Sequence, residues 1–337
     1  SAGADPGPAC YGRGGARATV TDAAMVLGYL DAEYFNGGRM RLDAAAALTA
    51  VSELAATLNK SAEDTAAGIL TVASEHMVAA IKEITINEGV DPRESLLLAG
   101  GGAAGLNVVP IARELGCAQV LVPRMAGALS ACGAQYTDIV TEFGASQVAQ
   151  SNSFDYAAVN VMLDRLRRSI DEFAQTLRAR GIERFRAEYF VEARYLYQVW
   201  ELDVALPGPR VRGPEDLGQL VNAFHAAHES IFAVSESNQE VEFIQWKGRI
   251  TGELDRPALN AAPHRSGGSV APVRSAPGYF SGTGAVPIAM YRGETLGPGD
   301  HVAGPALIVE PTTTLVLYPG STATVTAFNN YMVDVAS

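Results

Sequence analysis

The chain has 337 residues, enough for two domains. Hydrophobic residues make up 48% and charged residues 18%, which excludes a disordered chain and permits a sizeable core. A net charge of -12 excludes nucleic acid and anionic membrane as partners, because both select a basic face. A phosphate ligand stays open, since local amides and a metal ion can hold one.

Cys10, Cys117 and Cys132 form no Cys-x-x-Cys pair, so the chain reads as reduced and without a disulfide framework. No apolar run approaches the ~18 residues of a membrane span, and no signal peptide is visible. The expected compartment is the cytoplasm. The chain opens on Ser1, and residues 1–15 (SAGADPGPACYGRGG) are dense in Gly, Pro and Ala. Such a stretch cannot start a helix or a central strand. It reads as the interior of something longer, or as the product of cleavage before Ser1. In the second case the Ser1 hydroxyl could serve as an N-terminal nucleophile.

In chain order, residues 1–18 read as an ordered loop with Asp5-Pro6-Gly7-Pro8 as its turn. A short apolar segment, 19–30, carries Asp22. Asp43 can cap a helix from Ala44 to about Leu58. Ser61 opens a long helix with Ile69, Val72, Ala73, Met77, Ala80, Ile81 and Ile84 as its predicted apolar face; Gly89 and Pro92 end it. A strand at 95–99, a loop Gly100-Gly101-Gly102-Ala103-Ala104-Gly105, a helix to about Leu115 and a strand at 119–122 follow. This order predicts a parallel pair. Small residues fill 126–134. Gly, Ser, Gln and Asn gather at 145–153, which sets the expected domain boundary, with one domain at 1–145 and another at 151–337. An amphipathic helix is predicted over 154–180, and an alternating strand over 185–199. The alternation changes phase near Trp200, as at a bulge or strand break. Residues 214–232 read as helix, 256–300 as loop and 306–335 as strands.

Few residues suggest chemistry. Successive glycines at 100–105, between a strand and a helix, let backbone approach a nucleotide, or simply make a tight turn. The segment is neither a Gly-x-Gly-x-x-Gly fingerprint with a following acid nor a Lys-containing phosphate loop. Asp5 and Asp22 are candidate catalytic carboxylates that could hold Mg²⁺ or orient a water. Against this, Asp5 could only start a turn and Asp22 only cap a helix. His225 and His228 share a helical face without an obvious third metal ligand. Cys10 has no sequence-adjacent His and reads as a buried small residue.

Together these segments resemble the hydantoinase A/oxoprolinase family. The resemblance rests on Ser1–Gly12, Thr19–Ala23, Ala99–Asn107, Arg194–Leu202, Phe224–His228, Gly304–Ala306 and Thr312–Thr314, which occur in the family's order across nearly the whole chain. It implies an α/β fold, the later part of an actin-like, sugar-kinase-like ATPase domain followed by a mixed α+β C-terminal domain. It also implies ATP with Mg²⁺ or Mn²⁺, with Gly100, Gly101, Gly102 and Gly105 cradling the adenosine end. The implied partners are an N-terminal half of the same subunit, a hydantoinase B-type subunit and a small-molecule substrate. Two departures stand out: the family's early Asp-Gly-Gly-Thr type phosphate segment is missing, and Gly105-Leu106-Asn107 replaces the Gly-Pro-x-His found in many members.

The implied activity is ATP-dependent opening of a hydantoin, oxoproline or lactam. The alternatives are a subunit of an acetone- or acetophenone-type ketone carboxylase, and a non-catalytic scaffold half.

Overall fold

Capping chemistry sets the first helices. The computed structural model describes residues 3–256, 258–263 and 270–335, so the Ser1 hydroxyl lies outside the described residues. Helix α1 (Val20–Val26) starts at a reciprocal box: Thr19 Oγ1 accepts from the Asp22 amide, and the Asp22 carboxylate accepts from the Thr19 amide. Asp43 caps α2 (Ala44–Leu58), and Ser61 caps α3 (Ala62–Asn87), as the sequence pattern predicts.

The buried face of α3 differs from the predicted stripe. Thr65, Ala66, Leu70, Ser74 and Val78 face inward, whereas Val72 is 59% and Ile84 63% exposed. The helix packs on α1 and α2, and on the helix Val108–Leu115, where small and short polar side chains permit close approach. Ile69 and Ile81 of the predicted stripe lie partly buried at the edge of the core, so the inward face overlaps that stripe only along one side.

Strand β1 (Leu97–Leu98) pairs in parallel with β2 (Gln119–Val122), flanking the glycine loop and α4 (Val108–Leu115), which confirms the predicted unit. A short helix α5 (Leu129–Ala134) follows.

Next come β3 (Ile139–Gln150), α6 (Tyr156–Arg178), β4 (Phe185–Tyr195), β5 (Leu202–Ala205), α7 (Pro214–Phe232) and β6 (Val241–Gly252). The four strands form one antiparallel sheet in the order β3-β6-β4-β5. Leu163, Ile170, Leu220 and Phe224 of its helices share a core with Val191, Tyr195, Phe243 and Trp246 of the sheet. The buried Trp246 indole donates to the Gln147 carbonyl at 2.8 Å. The phase change near Trp200 is a strand break with a chain reversal, the second of the two expected forms. The strand ends at Tyr195, Tyr197 takes a φ of 74°, and β5 returns with Leu202 opposite Ala193.

The segment expected to be loop, 256–300, holds two strands, β7 (Arg274–Phe280) and β8 (Gly284–Arg292). Its prolines gave the loop reading. Pro277 and Pro287 lie opposite each other, and the pairing of β8 with the strand Ala306–Val309 begins only at Ala289, so neither missing N–H interrupts a ladder. Strands β9 (His301–Ala303), β10 (Ala306–Val309), β11 (Thr314–Leu317), β12 (Thr322–Val325) and β13 (Tyr331–Asp334) complete the described chain. They build two sheets, β1-β2-β13-β12-β9 and β11-β10-β8-β7.

Contacts divide the chain into two units: residues up to Gly133 with those from Ala258 onward, and Ala134–Pro257. The composition shift at 145–153 thus falls at the end of β3, inside the second unit. Strand order explains the difference. The last strand, β13, pairs with β2, Tyr331 opposite Val122, and so returns the C-terminal segment to the first unit. Composition along the chain carries no record of that return.

The α3 geometry gives a direct test. Leu70→Ala should destabilise by about 2–5 kcal/mol, the usual range for a truncated core leucine. Val72→Ala should stay within about 0.5 kcal/mol. Urea unfolding of the two variants separates them; equal losses would place the core on the predicted stripe instead.

Candidate functional site

Several segments of the first unit converge on one cavity of about 430 Å³. The turn at Ala9–Tyr11 contributes Tyr11, α1 contributes Thr21, and the loop after α1 contributes Asp31 and Tyr34. The glycine loop contributes Gly102 and Ala103. The turn between β10 and β11 contributes Glu310 and Thr312–Thr314. The glycine loop and this turn are fastened together, because Thr313 Oγ1 donates to the Gly102 carbonyl at 3.0 Å.

The glycines do different jobs. Gly101 has a φ of 116°, open to glycine and few others. At Gly105 an added Cβ would lie 2.3 Å from the Thr314 carbonyl oxygen, so this glycine serves the close packing of the loop on β11. Gly100 and Gly102 are exposed, and Gly102 lies on the cavity wall.

Neither predicted carboxylate lines the cavity. Asp22 is fully buried, and its oxygens accept from the amides of Ala9, Cys10 and Thr19 and from the Thr19 hydroxyl, at 2.7 to 3.1 Å. That is a fastening of the Gly-Pro loop to α1, so the helix-cap reading holds. Asp5 is exposed in its turn. Cys10 is buried beside Asp22, and burial together with that carboxylate pushes its thiol up to about 12, which leaves it protonated and unreactive at neutral pH. In the second unit, His225 Nδ1 lies 2.7 Å from the Tyr195 hydroxyl and His228 Nδ1 2.6 Å from the Val234 carbonyl. Both rings pack among Tyr195 and Phe224. Burial, then the neighbouring His228, holds the His225 imidazole below its ordinary pKa.

The buried charges on the cavity wall are ones that sequence reasoning missed. Asp31 accepts from Arg274 and Arg292, each at 3.0 Å, and Arg292 lies 3.6 Å over the Tyr34 ring. Glu310 is 6% exposed and pairs through Oε1 with Arg124 Nε at 2.9 Å and with the Tyr331 hydroxyl. Burial pushes the Glu310 carboxyl up, against the lowering pull of Tyr331 and Arg124. Gly293 makes room for it: a Cβ there would lie 1.8 Å from Glu310 Oε1. The Gly304–Ala306 and Thr312–Thr314 motifs flank Glu310 and were the available signal.

The hydantoinase/oxoprolinase family model matches residues 1–143, and the model of the hydantoinase/oxoprolinase C-terminal domain matches 156–331. The chain belongs to the hydantoinase/oxoprolinase family. It is 35% identical over 331 residues to the caprolactamase subunit alpha of Pseudomonas jessenii, covering 95% of this chain and 47% of that protein. It is 30% identical to the acetophenone carboxylase gamma subunit of Aromatoleum aromaticum, over 95% of this chain and 45% of that one. The ATP-dependent caprolactamase structure from Pseudomonas jessenii superposes with a TM-score of 0.77 at 32% identity, over 100% of this chain and 49% of that one. A nucleotide-free acetone carboxylase structure gives a TM-score of 0.79 at 22% identity, over 98% of this chain and 48% of that one, a likeness of fold. The chain spans about half the length of these relatives. Among the described residues, no helix is long and apolar enough to cross a membrane.

The Asp22 fastening predicts a large stability effect. Asp22→Ala leaves several buried donors without an acceptor, at about 1–3 kcal/mol each where they cannot reach water. Chemical denaturation should show a total loss of at least about 2 kcal/mol. A variant as stable as the parent would free Asp22 for a role in chemistry.

Proposed function

We propose that this chain forms the C-terminal part of a hydantoinase A/oxoprolinase-type subunit of an enzyme that uses ATP to open a cyclic amide. The observation that carries the reading is the convergence of four family-like segments, through Tyr11, Thr21, Gly102 with Ala103, and Thr312–Thr314, on one cavity. The similarity to a caprolactamase subunit supports it.

In this reading the exposed backbone at Gly100–Gly102 faces the adenosine end of ATP, and the cavity beside it takes the ring. The cavity is within the size range of small-molecule sites. Its described lining offers acceptor oxygens at Glu310 and Thr312–Thr314, which suit an uncharged ring carrying an N–H donor. Leu30, Phe35, Leu106 and Val309 provide apolar surface for ring methylenes. Among the described residues no three His, Cys, Asp or Glu side chains gather as a metal site. The Mg²⁺ or Mn²⁺ would accordingly travel with the ATP phosphates, as such ions commonly do. An N-terminal half would supply phosphate contacts, a hydantoinase B-type chain would complete the enzyme, and the compartment would be the cytoplasm.

The chemistry follows from the weakness of an amide as an electrophile. Phosphorylation of its oxygen lets water add to the carbon and lets the C–N bond break, so the fold must position ring, phosphate and water. A second reading, ATP-dependent ketone carboxylation, draws on the likeness to the acetophenone carboxylase subunit. The two separate in one assay on the complete complex purified with its companion chains. ADP released in step with lactam or hydantoin opening, without bicarbonate, supports the amidase. A product gained only with bicarbonate and a ketone supports the carboxylase instead. Absence of both would sink the two enzyme readings together.

A further inference from the structure

Glu310 is held in a way that packing does not explain. It follows β10 at the start of the turn to β11, and its backbone amide donates to the Thr313 carbonyl at 2.9 Å. Only 5% of its side chain is exposed. Oε1 is fixed by Arg124 and Tyr331, while Oε2 takes no hydrogen bond from any described residue, and the side chain lines the cavity. Arg124 is itself anchored, donating to the Leu296 carbonyl and to the Tyr331 hydroxyl, each at 3.1 Å. Gly293 leaves the space that the carboxyl group fills. A buried carboxylate with one oxygen clamped and the other free beside a small-molecule cavity is built to accept a proton or a hydrogen bond from a ligand.

We propose that Glu310 is the general base of the ring-activation step, its Oε2 taking the N–H proton of the cyclic amide. This deepens the cyclic-amide reading and rests on it. As the amide oxygen attacks the terminal phosphorus of ATP, the new O–P bond forms and the P–O bond to ADP breaks. The electron pair of the N–H bond becomes the C=N bond of an imidate, and the proton passes to Glu310. Water then adds to the carbon, the C–N bond breaks, and Glu310 returns its proton to the departing nitrogen. The ring is now an open acyl phosphate, and a second water releases phosphate.

The charged and titratable surroundings favour this role. Arg124 and Tyr331 pull the carboxyl down, burial and Glu294 push it up, and burial outweighs the rest. Asp31, on another part of the wall, is neutralised by Arg274 and Arg292. A base raised from the ordinary carboxylate range is stronger, and its activity appears as pH rises through its own titration.

The test uses the complete complex. Glu310→Gln keeps the shape and the Tyr331 contact, and should lower kcat for ring opening by roughly 10²- to 10⁴-fold, as expected on losing a general base, with KM for ATP unchanged. Tyr331→Phe removes a hydrogen bond that lowers the Glu310 pKa, so the acid limb of its kcat/KM profile should move to higher pH. A wild-type complex that opens rings and a folded Glu310→Gln complex within about threefold of it would overturn the proposal alone. If Glu310→Gln does not assemble, the Tyr331→Phe profile decides, and an unmoved acid limb counts against the base. A wild-type complex that opens no ring removes the cyclic-amide reading, and the proposal with it.

Discussion

The first unit depends on one backbone-to-backbone contact, the glycine loop lying directly on the turn and strand at Thr312–Thr314. At Gly105 there is no room for a Cβ against the Thr314 carbonyl, and at Gly102 a Cβ would lie 3.1 Å from the Thr312 carbonyl oxygen, a close contact but not a clash. The Thr313 hydroxyl closes the same seam. Residues some two hundred positions apart are thereby held close enough for their remaining polar groups to face one space. Without that approach, Gly102 and Ala103 would not share a wall with Glu310, and the cavity would be a surface groove.

Glycine loops are ambiguous in sequence for this reason. The run at 100–105 is legible as a close approach or a tight turn, but the sequence names only a nucleotide as the approaching group. At Gly105 it is another strand of the same chain. A missing Cβ has the same sequence signature whatever occupies its place, so only the fold separates the two uses. Gly100 and Gly102, being exposed, keep the ligand reading open.

Legibility elsewhere followed the range of the physics involved. Caps at Asp43 and Ser61, the amphipathic α6 and the parallel β1–β2 unit depend on residues a few positions apart, and sequence reasoning found them. The inward face of α3, the return of β13 to β2, and β7 with β8 depend on distant partners, and it missed them. The site shows the same split. Motif blocks pointed to the right segments but not to the right side chains. Asp22 drew attention as a carboxylate able to hold Mg²⁺ or orient a water, yet four donors consume it. Glu310 drew none, because its interest comes from Arg124 and Tyr331, which arrive from β2's end and β13.

The buried carboxylates of this acidic chain show how environment divides roles among identical groups. Asp22 is satisfied by backbone amides and a hydroxyl, all of them neutral donors, and works as a structural knot. Asp31 is held by two guanidinium groups, one on each oxygen, so its charge is balanced and its geometry locked. Glu310 has one guanidinium and one phenol, both on Oε1. Two partners on one oxygen fix the group in place without saturating it, and the other oxygen is left to the cavity. A carboxylate that is rigid and half satisfied keeps one oxygen for a ligand, which the other two have given up to the fold.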